Sequence, residues 1–186
     1  MSVAPDILIE VERVRKEADK LWSIAEVESA LDDMAQELTA KVEDSHPLLL
    51  TVMNGAVITM GYLLNRLDFP LQIDYVHATR YGRDLVGGEL EWIAKPRISL
   101  KGRCVVLVDD IHDEGGTIAA LKEWAESEGA IEVITLTLAT KLHERKVAPP
   151  SDFNALNLPD RYVFGFGMDY KGYLRNMPGI FALSDR

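Results

Sequence analysis

Three short, unbroken apolar runs dictate the architecture of this chain: LLLTVM at 48–53, RCVVLVDD at 103–110 and IEVITLTLAT at 131–140. Each has strand length and little polar alternation, the pattern of a strand covered on both faces. Helical patterning lies between them. NGAVITMGYLLNRL reads as a turn into a helix, and TIAALKEWAESEGA as a helix closed by Gly129. LQIDYVHA at 71–78 alternates like a strand, and the polar, glycine-bearing stretch at 81–92 reads as a loop or hairpin. Between Ala18 and Val42 the residues Leu21, Ile24, Leu31, Met34, Leu38 and Val42 recur at helical spacing, giving one or two amphipathic helices. Beyond Pro149 the clearest strand is RYVFGFGMDY. Strands separated by helices imply an α/β domain with a largely parallel sheet, whose ligands bind beyond the carboxyl ends of the strands. The loops after Met53, Val108, Thr140 and Phe166 are therefore the ones that matter.

The chain has 186 residues, enough for one domain with a single core. A net charge of −10 argues against a nucleic-acid partner, which needs Lys and Arg patches, and against an anionic membrane surface. No apolar run approaches a membrane span, and the N-terminal stretch lacks the pattern of a signal peptide. The single cysteine, Cys104, sits in a strand-like run and reads as a buried thiol. A cytoplasmic setting is the simplest expectation.

Chemistry concentrates in VVLVDDIHDEGGT, 105–117. Gly115 and Gly116 allow close backbone approach, and Thr117 stands at the start of the next helix, where amides and dipole favour an anion. It is not a Walker A loop, because no lysine precedes Thr117. Asp109 and Asp110 fall at the strand's end, where paired carboxylates suit a vicinal diol or Mg²⁺. Asp113 is placed to exchange a proton with a bound base. A sugar phosphate satisfies all of these at once, with hydroxyls to the acids and phosphate to the amides. A solvated turn is the bland alternative.

The stretch resembles the phosphoribosyl-pyrophosphate (PRPP) motif of type I phosphoribosyltransferases, and the order of further parts resembles the purine branch, the hypoxanthine-guanine phosphoribosyltransferases, over roughly residues 45–185. That resemblance implies a mainly parallel central sheet flanked by helices, with a small hood from the terminal segments. It implies one domain, 1–186, with a helical hood part at 1–44, the core at 45–148 and a base-binding segment at 149–186. By the same resemblance Asp109, Asp110, Glu114, Gly115, Gly116 and Thr117 take the ribose and 5′-phosphate, and Asp113 acts as catalytic acid/base. LTVMNGA, with Asn54 and Gly55, corresponds to the pyrophosphate loop. ATRYG, with Arg80 and Tyr81, corresponds to the start of the loop that closes over the site, and Arg175 also reaches pyrophosphate. Lys141 corresponds to the lysine on the purine 6-oxygen, Tyr162 to the stacking aromatic, and Val163 to the residue whose backbone reads the base edge, with Met168 beside them. Asp169, Asp109 and Asp110 are the implied metal acids.

Three departures stand out. Arg80 stands where the family usually has a serine before its tyrosine, Asn54 stands where some relatives carry lysine, and Glu114 is an odd neighbour for phosphate, so its side chain is expected to face solvent. The implied reaction moves the phosphoribosyl group of PRPP to a 6-oxopurine with Mg²⁺, in a homodimer or homotetramer. Competing readings are a xanthine-preferring enzyme, a noncatalytic nucleotide sensor on the same fold, and a phospho-accepting receiver domain. His46, His77, His112 and His143 show no metal-ligand spacing and read as surface or packing residues; Trp22, Trp92 and Trp124 read as core or interface anchors. Arg145 is divided between the pyrophosphate end and the surface.

Overall fold

A computed structural model describes residues 5–80 and 90–184. Its element order is α1 (Pro5–Glu17), β1 (Asp19–Ser23), α2 (Ile24–Val42), β2 (Leu48–Val52), α3 (Val57–Leu64), β3 (Gln72–Arg80), β4 (Leu90–Ala94), β5 (Cys104–His112), α4 (Gly116–Ser127), β6 (Glu132–Lys141), β7 (Phe153–Leu158), β8 (Val163–Phe164) and β9 (Gly179–Ala182). Six strands form a central sheet in the order β4-β3-β2-β5-β6-β7, parallel throughout except for the antiparallel β3–β4 pair. Three strands, β1-β9-β8, form a small antiparallel sheet.

The apolar runs explain the central sheet. β2 is buried at every position, as is most of β5. Leu48 and Leu50 join a cluster on one face with Ile118, Leu121 and Ala125 of α4, and Leu49 joins one on the other face with Met60 and Leu63 of α3. Each fully buried leucine contributes on the order of 2 kcal/mol. Because α3 and α4 lie on opposite faces, the strand order reverses between β2 and β5, and both helices begin at the same end of the sheet. That crevice is where doubly wound sheets bind ligands. α4 ends in a Schellman turn: Gly129, at φ +89°, donates to Glu126 O and Ala130 donates to Ala125 O.

Several expectations needed correction. Leu21 is not helical. Residues 19–23 form β1, paired with β9, and α2 starts only after Ser23, which accepts from Glu26 N–H while the Glu26 carboxylate accepts from Ser23 N–H. α2 packs on both sheets. Val27, Leu31, Met34 and Leu38 pack into a core cluster shared by the central sheet and by Val163, Ile180 and Ala182 of the small sheet, so α2 bridges the two, whereas α1 packs on the small sheet alone. In the C-terminal segment the regular strand is FNALNL, which extends the central sheet at its edge. RYVFGFGMDY contributes two strand residues, 163–164, and then turns at Gly165 (φ +94°) and Gly167 (φ +107°). Finally, β5 continues past Val108 to His112, held by the pairs Asp109–Thr137 and His112–Thr140 with β6. The two acids therefore stand within the strand.

β3 and β4 pair antiparallel, with Arg80 opposite Leu90; residues 81–89, including Tyr81, lie outside the described residues. Trp92 and Trp124 pack 4.6 Å apart beneath β4, Trp22 packs against the core from β1, and Cys104 is buried. No described helix is long and apolar enough to cross a membrane.

Candidate active site

A cleft of about 490 Å³ opens at the carboxyl ends of β2 and β5. The turn after β2 supplies Asn54 and Gly55; β5 and its loop supply Asp109, Asp110, Asp113, Glu114, Gly115, Gly116 and Thr117; Asp169 and Arg175 come from the C-terminal segment. A second cavity of about 200 Å³ shares Asp110, Asp113 and Asp169 with the first and adds Lys141, Tyr162, Val163 and Met168. The residues expected at the ribose phosphate and those expected at the base thus fall into two adjoining spaces, with Asp113 on the wall of both. For Arg80 only the backbone is described.

Register explains the assembly. Thr51 pairs with Val108 across β2–β5, so the turn after Val52 rises beside Asp109 and Asp110. There is no clearance between them: a Cβ on Gly55 would lie 2.0 Å from Asp110 Oδ2, and one on Gly167 would lie 2.0 Å from Gly55 O. Glycine is needed here for space as well as for angles. On the other side Thr140 pairs with His112, so the next residues along each strand, Lys141 and Asp113, are neighbours. Lys141 Nζ donates to Asp113 Oδ2 at 2.7 Å.

The two strand acids are both buried. Burial, and then the charge of Asp110, push the Asp109 carboxyl well above the usual range; burial also raises Asp110, against an opposing pull from Arg175. Asp110 N–H donates to Asp109 Oδ1 at 2.9 Å. Asp169 is already engaged, by Arg175 at 2.7 Å and by the Gly172 N–H at 2.7 Å, while Arg175 also donates to Gly167 O at 2.6 Å.

α4 begins at Gly116, with Gly115 at φ +88° before it and Thr117 in the first turn. No side chain caps these amides, which leaves the helix end open to an anion. Glu114 is exposed on the rim. The loop after β6 fastens the loop after β5: Lys146 Nζ donates to His112 O at 2.9 Å and Asp113 O at 2.6 Å, and Val147 N–H donates to Glu114 O at 2.9 Å.

The structure selects between the alternatives left open at His143, surface or packing, and at Arg145, pyrophosphate end or surface. His143 is no surface residue: its side chain is only 3% exposed, and Nε2 lies 2.6 Å from Asp113 Oδ1. Nothing in the local sequence signals this, because the contact spans thirty positions and exists only through strand register. Arg145 is turned away from both cavities and holds Asp160 through two 2.7 Å hydrogen bonds, which pull the Asp160 carboxyl down to about 2. Burial alone would raise Asp113, but the hydrogen bonds from Lys141 and His143 outweigh it and hold this carboxyl below its ordinary value. Tyr162 is half exposed at the cavity mouth, edge-on to Tyr170 at 5.5 Å.

Among the described residues no cluster of three or more His, Cys, Asp or Glu is arranged to hold a metal by itself. The donors present are a few hard carboxylates beside an anion-binding turn. That suits Mg²⁺, which binds through one or two carboxylates and completes its shell with phosphate oxygens and water.

The phosphoribosyl transferase domain model matches residues 17–171. A hypoxanthine-guanine phosphoribosyltransferase of Bacillus subtilis (strain 168) is 32% identical over 164 residues, covering 88% of this chain and 91% of that protein. One from Lactococcus lactis subsp. lactis (strain IL1403) is also 32% identical over 164 residues, covering 88% and 89%. The solved structure of a hypoxanthine-guanine-xanthine phosphoribosyltransferase superposes with a TM-score of 0.83 at 27% identity, covering 91% of this chain and 99% of that one.

Proposed function

The chain belongs to the phosphoribosyl transferase family, and from that premise we propose that it is a purine-salvage enzyme moving the phosphoribosyl group of PRPP to hypoxanthine or guanine. The observation that carries the reading is the position of Asp113 between the two cavities, 2.7 Å from Lys141. A ribose phosphate in the larger space and a base in the smaller one meet at this carboxylate.

The α4 amides and Thr117 hold the 5′-phosphate, and the ribose hydroxyls donate to Asp109 and Asp110. Asn54, Gly55 and Arg175 line the pyrophosphate side, with Arg80 and Tyr81 expected to join them. Asp169 and the Asp109–Asp110 pair are the groups that would hold Mg²⁺, which when bound neutralises pyrophosphate as a leaving group. As the C1–oxygen bond breaks, positive charge grows on the ribose, and the two fixed carboxylates stabilise it. Purine N9 attacks C1 while Asp113 takes the proton from N7. Lys141 donates to the 6-oxygen. Adenine offers an amino group there, so the ammonium would lose its acceptor, a mismatch worth on the order of 10⁴-fold in rate in the best cases. Tyr162 covers the base, and Val163 presents backbone groups to its edge. The single, buried Cys104 favours a reducing, cytoplasmic setting. Exposed Ile73, Tyr75 and Ile93 on the β3–β4 edge favour a homodimer or homotetramer.

The test is direct. The protein is incubated with PRPP, Mg²⁺ and, separately, hypoxanthine, guanine, xanthine and adenine. IMP and GMP are expected, with little or no AMP. Failure to form any oxopurine nucleotide overturns the reading. EDTA should abolish turnover and added Mg²⁺ restore it; full activity in metal-free buffer removes the metal from the scheme.

A further inference from the structure

Asp113 is held by two donors on two different oxygens. Lys141 Nζ holds Oδ2 at 2.7 Å, and His143 Nε2 holds Oδ1 at 2.6 Å. The other ring nitrogen of His143, Nδ1, accepts the Arg145 backbone N–H at 3.1 Å. An accepting Nδ1 carries no proton, so in the neutral ring the proton sits on Nε2 and is donated to Asp113. The ring needs no positive charge for this bond. Its backbone is anchored on both sides: Leu142 N–H donates to Leu158 O at 2.8 Å, and Arg145 is fixed to Asp160.

The two donors have different fates when a base binds. Lys141 lines the base cavity and is the donor a 6-oxo group would claim; His143 lines neither cavity, and among the described residues its Nε2 has no partner other than Asp113. We propose that His143 is a positioning residue for Asp113: its Nε2–H keeps Oδ1 in place, so that Oδ2 stays aimed at the base after Lys141 has turned to the purine. This rests on the transferase reading above. A carboxylate held by Lys141 alone would be free to swing when the lysine left. Held by His143, it exposes one oxygen in a fixed direction at the moment a proton acceptor is required. The groups facing Asp113 are Lys141 and His143 at its carboxylate and Lys146 at its carbonyl, with His112 and Arg145 acting at longer range.

Two variants and one spectroscopic titration test this. His143→Leu removes the donor, whereas His143→Gln keeps an N–H near the Nε2 position. His143→Leu should lower kcat roughly 10- to 100-fold, the range for losing one hydrogen bond to a charged group. PRPP affinity by calorimetry should hold, and His143→Gln should recover most of the rate. Removing a donor to the ionised carboxylate raises its pKa, so the acid limb of the pH–rate profile should move to higher pH in His143→Leu and return in His143→Gln. Carboxyl ¹³C shifts of Asp113 should show the same movement without turnover, and ¹⁵N shifts of His143 should report the Nε2–H tautomer. The proposal is overturned by an unshifted Asp113 titration in His143→Leu, by the Nδ1–H tautomer, or by a glutamine variant as impaired as the leucine one. If the wild type makes no nucleotide, the transferase reading falls, and the Asp113 titration still decides whether His143 controls that carboxylate.

Discussion

The proposed reaction concentrates its proton chemistry in one carboxylate, that of Asp113. Asp113→Asn should retain the fold and PRPP binding yet lower kcat about 10²–10⁴-fold, the usual range for a general acid/base; near-normal turnover removes it from the mechanism. Lys141→Met should cost about 2–4 kcal/mol of transition-state stabilisation with hypoxanthine and leave PRPP affinity nearly intact; equal losses in both would place the lysine at the ribose instead. Asp109 yields a prediction of opposite sign for stability. Its folded-state pKa is raised, so the native state resists ionising it, and the resulting penalty is present above that raised value and absent at pH low enough to protonate it in both states. Asp109→Asn should therefore raise Tm at about pH 8, with the gain fading as pH falls from that raised value to the ordinary carboxylate range and gone by about pH 3, while PRPP binding is weakened. An unchanged Tm at both pH values would show that burial does not strain this acid. Asp109, Asp113 and Lys141 are visible in the sequence because two of them sit in one compact motif and the third follows a buried strand. His143 was invisible, because it acquires its role only when β6 lies beside β5.

The elements divide by how they are covered. β2, β5 and β6 are buried on both faces, so their residues form the continuous apolar runs that reveal them. β7 is an edge strand interrupted by Asn154 and Asn157, and β1 is a short strand whose Leu21 falls into helical register with α2; neither carries a periodic signal of its own. Local capping does mark the boundary. Ser23→Ala should destabilise the fold by about 1 kcal/mol through lost capping of α2, read as a lower urea midpoint with turnover per folded molecule preserved. The turn between β2 and α3 is more demanding. Gly55→Ala brings a methyl group into the Asp110 carboxylate, with Gly167 closing the space behind it. Overpacking of this kind costs about 1–3 kcal/mol, and here the displaced group is an acid proposed to hold the ribose. PRPP binding should weaken at least about tenfold in calorimetry; normal affinity would mean that the turn can retreat.

Across the whole molecule the site is shared by parts from distant regions of the chain. The central sheet presents Asp109, Asp110, Asp113 and Lys141, while Val163, Met168, Asp169 and Arg175 come from the segment that carries the small sheet. That sheet exists only because Asp19–Ser23 pairs with Gly179–Ala182, with α1 packed over Phe164 and Phe181 and Glu10 bonded to Tyr170 and Lys171. Such pairing has a consequence in time. Contacts between the two ends of a chain carry the largest loop-closure entropy and form after nearer ones are in place. The parallel sheet is therefore expected to assemble first, with its acids already aligned and the proposed base-binding wall missing, and the wall to arrive when the terminal strands meet. Tryptophan positions can follow both events, since Trp92 and Trp124 sit together under the central sheet and Trp22 lies in β1. In refolding from urea, catalytic activity should return with the Trp22 signal and lag behind the Trp92–Trp124 pair, so that a newly made molecule holds its phosphate site before it can choose a base.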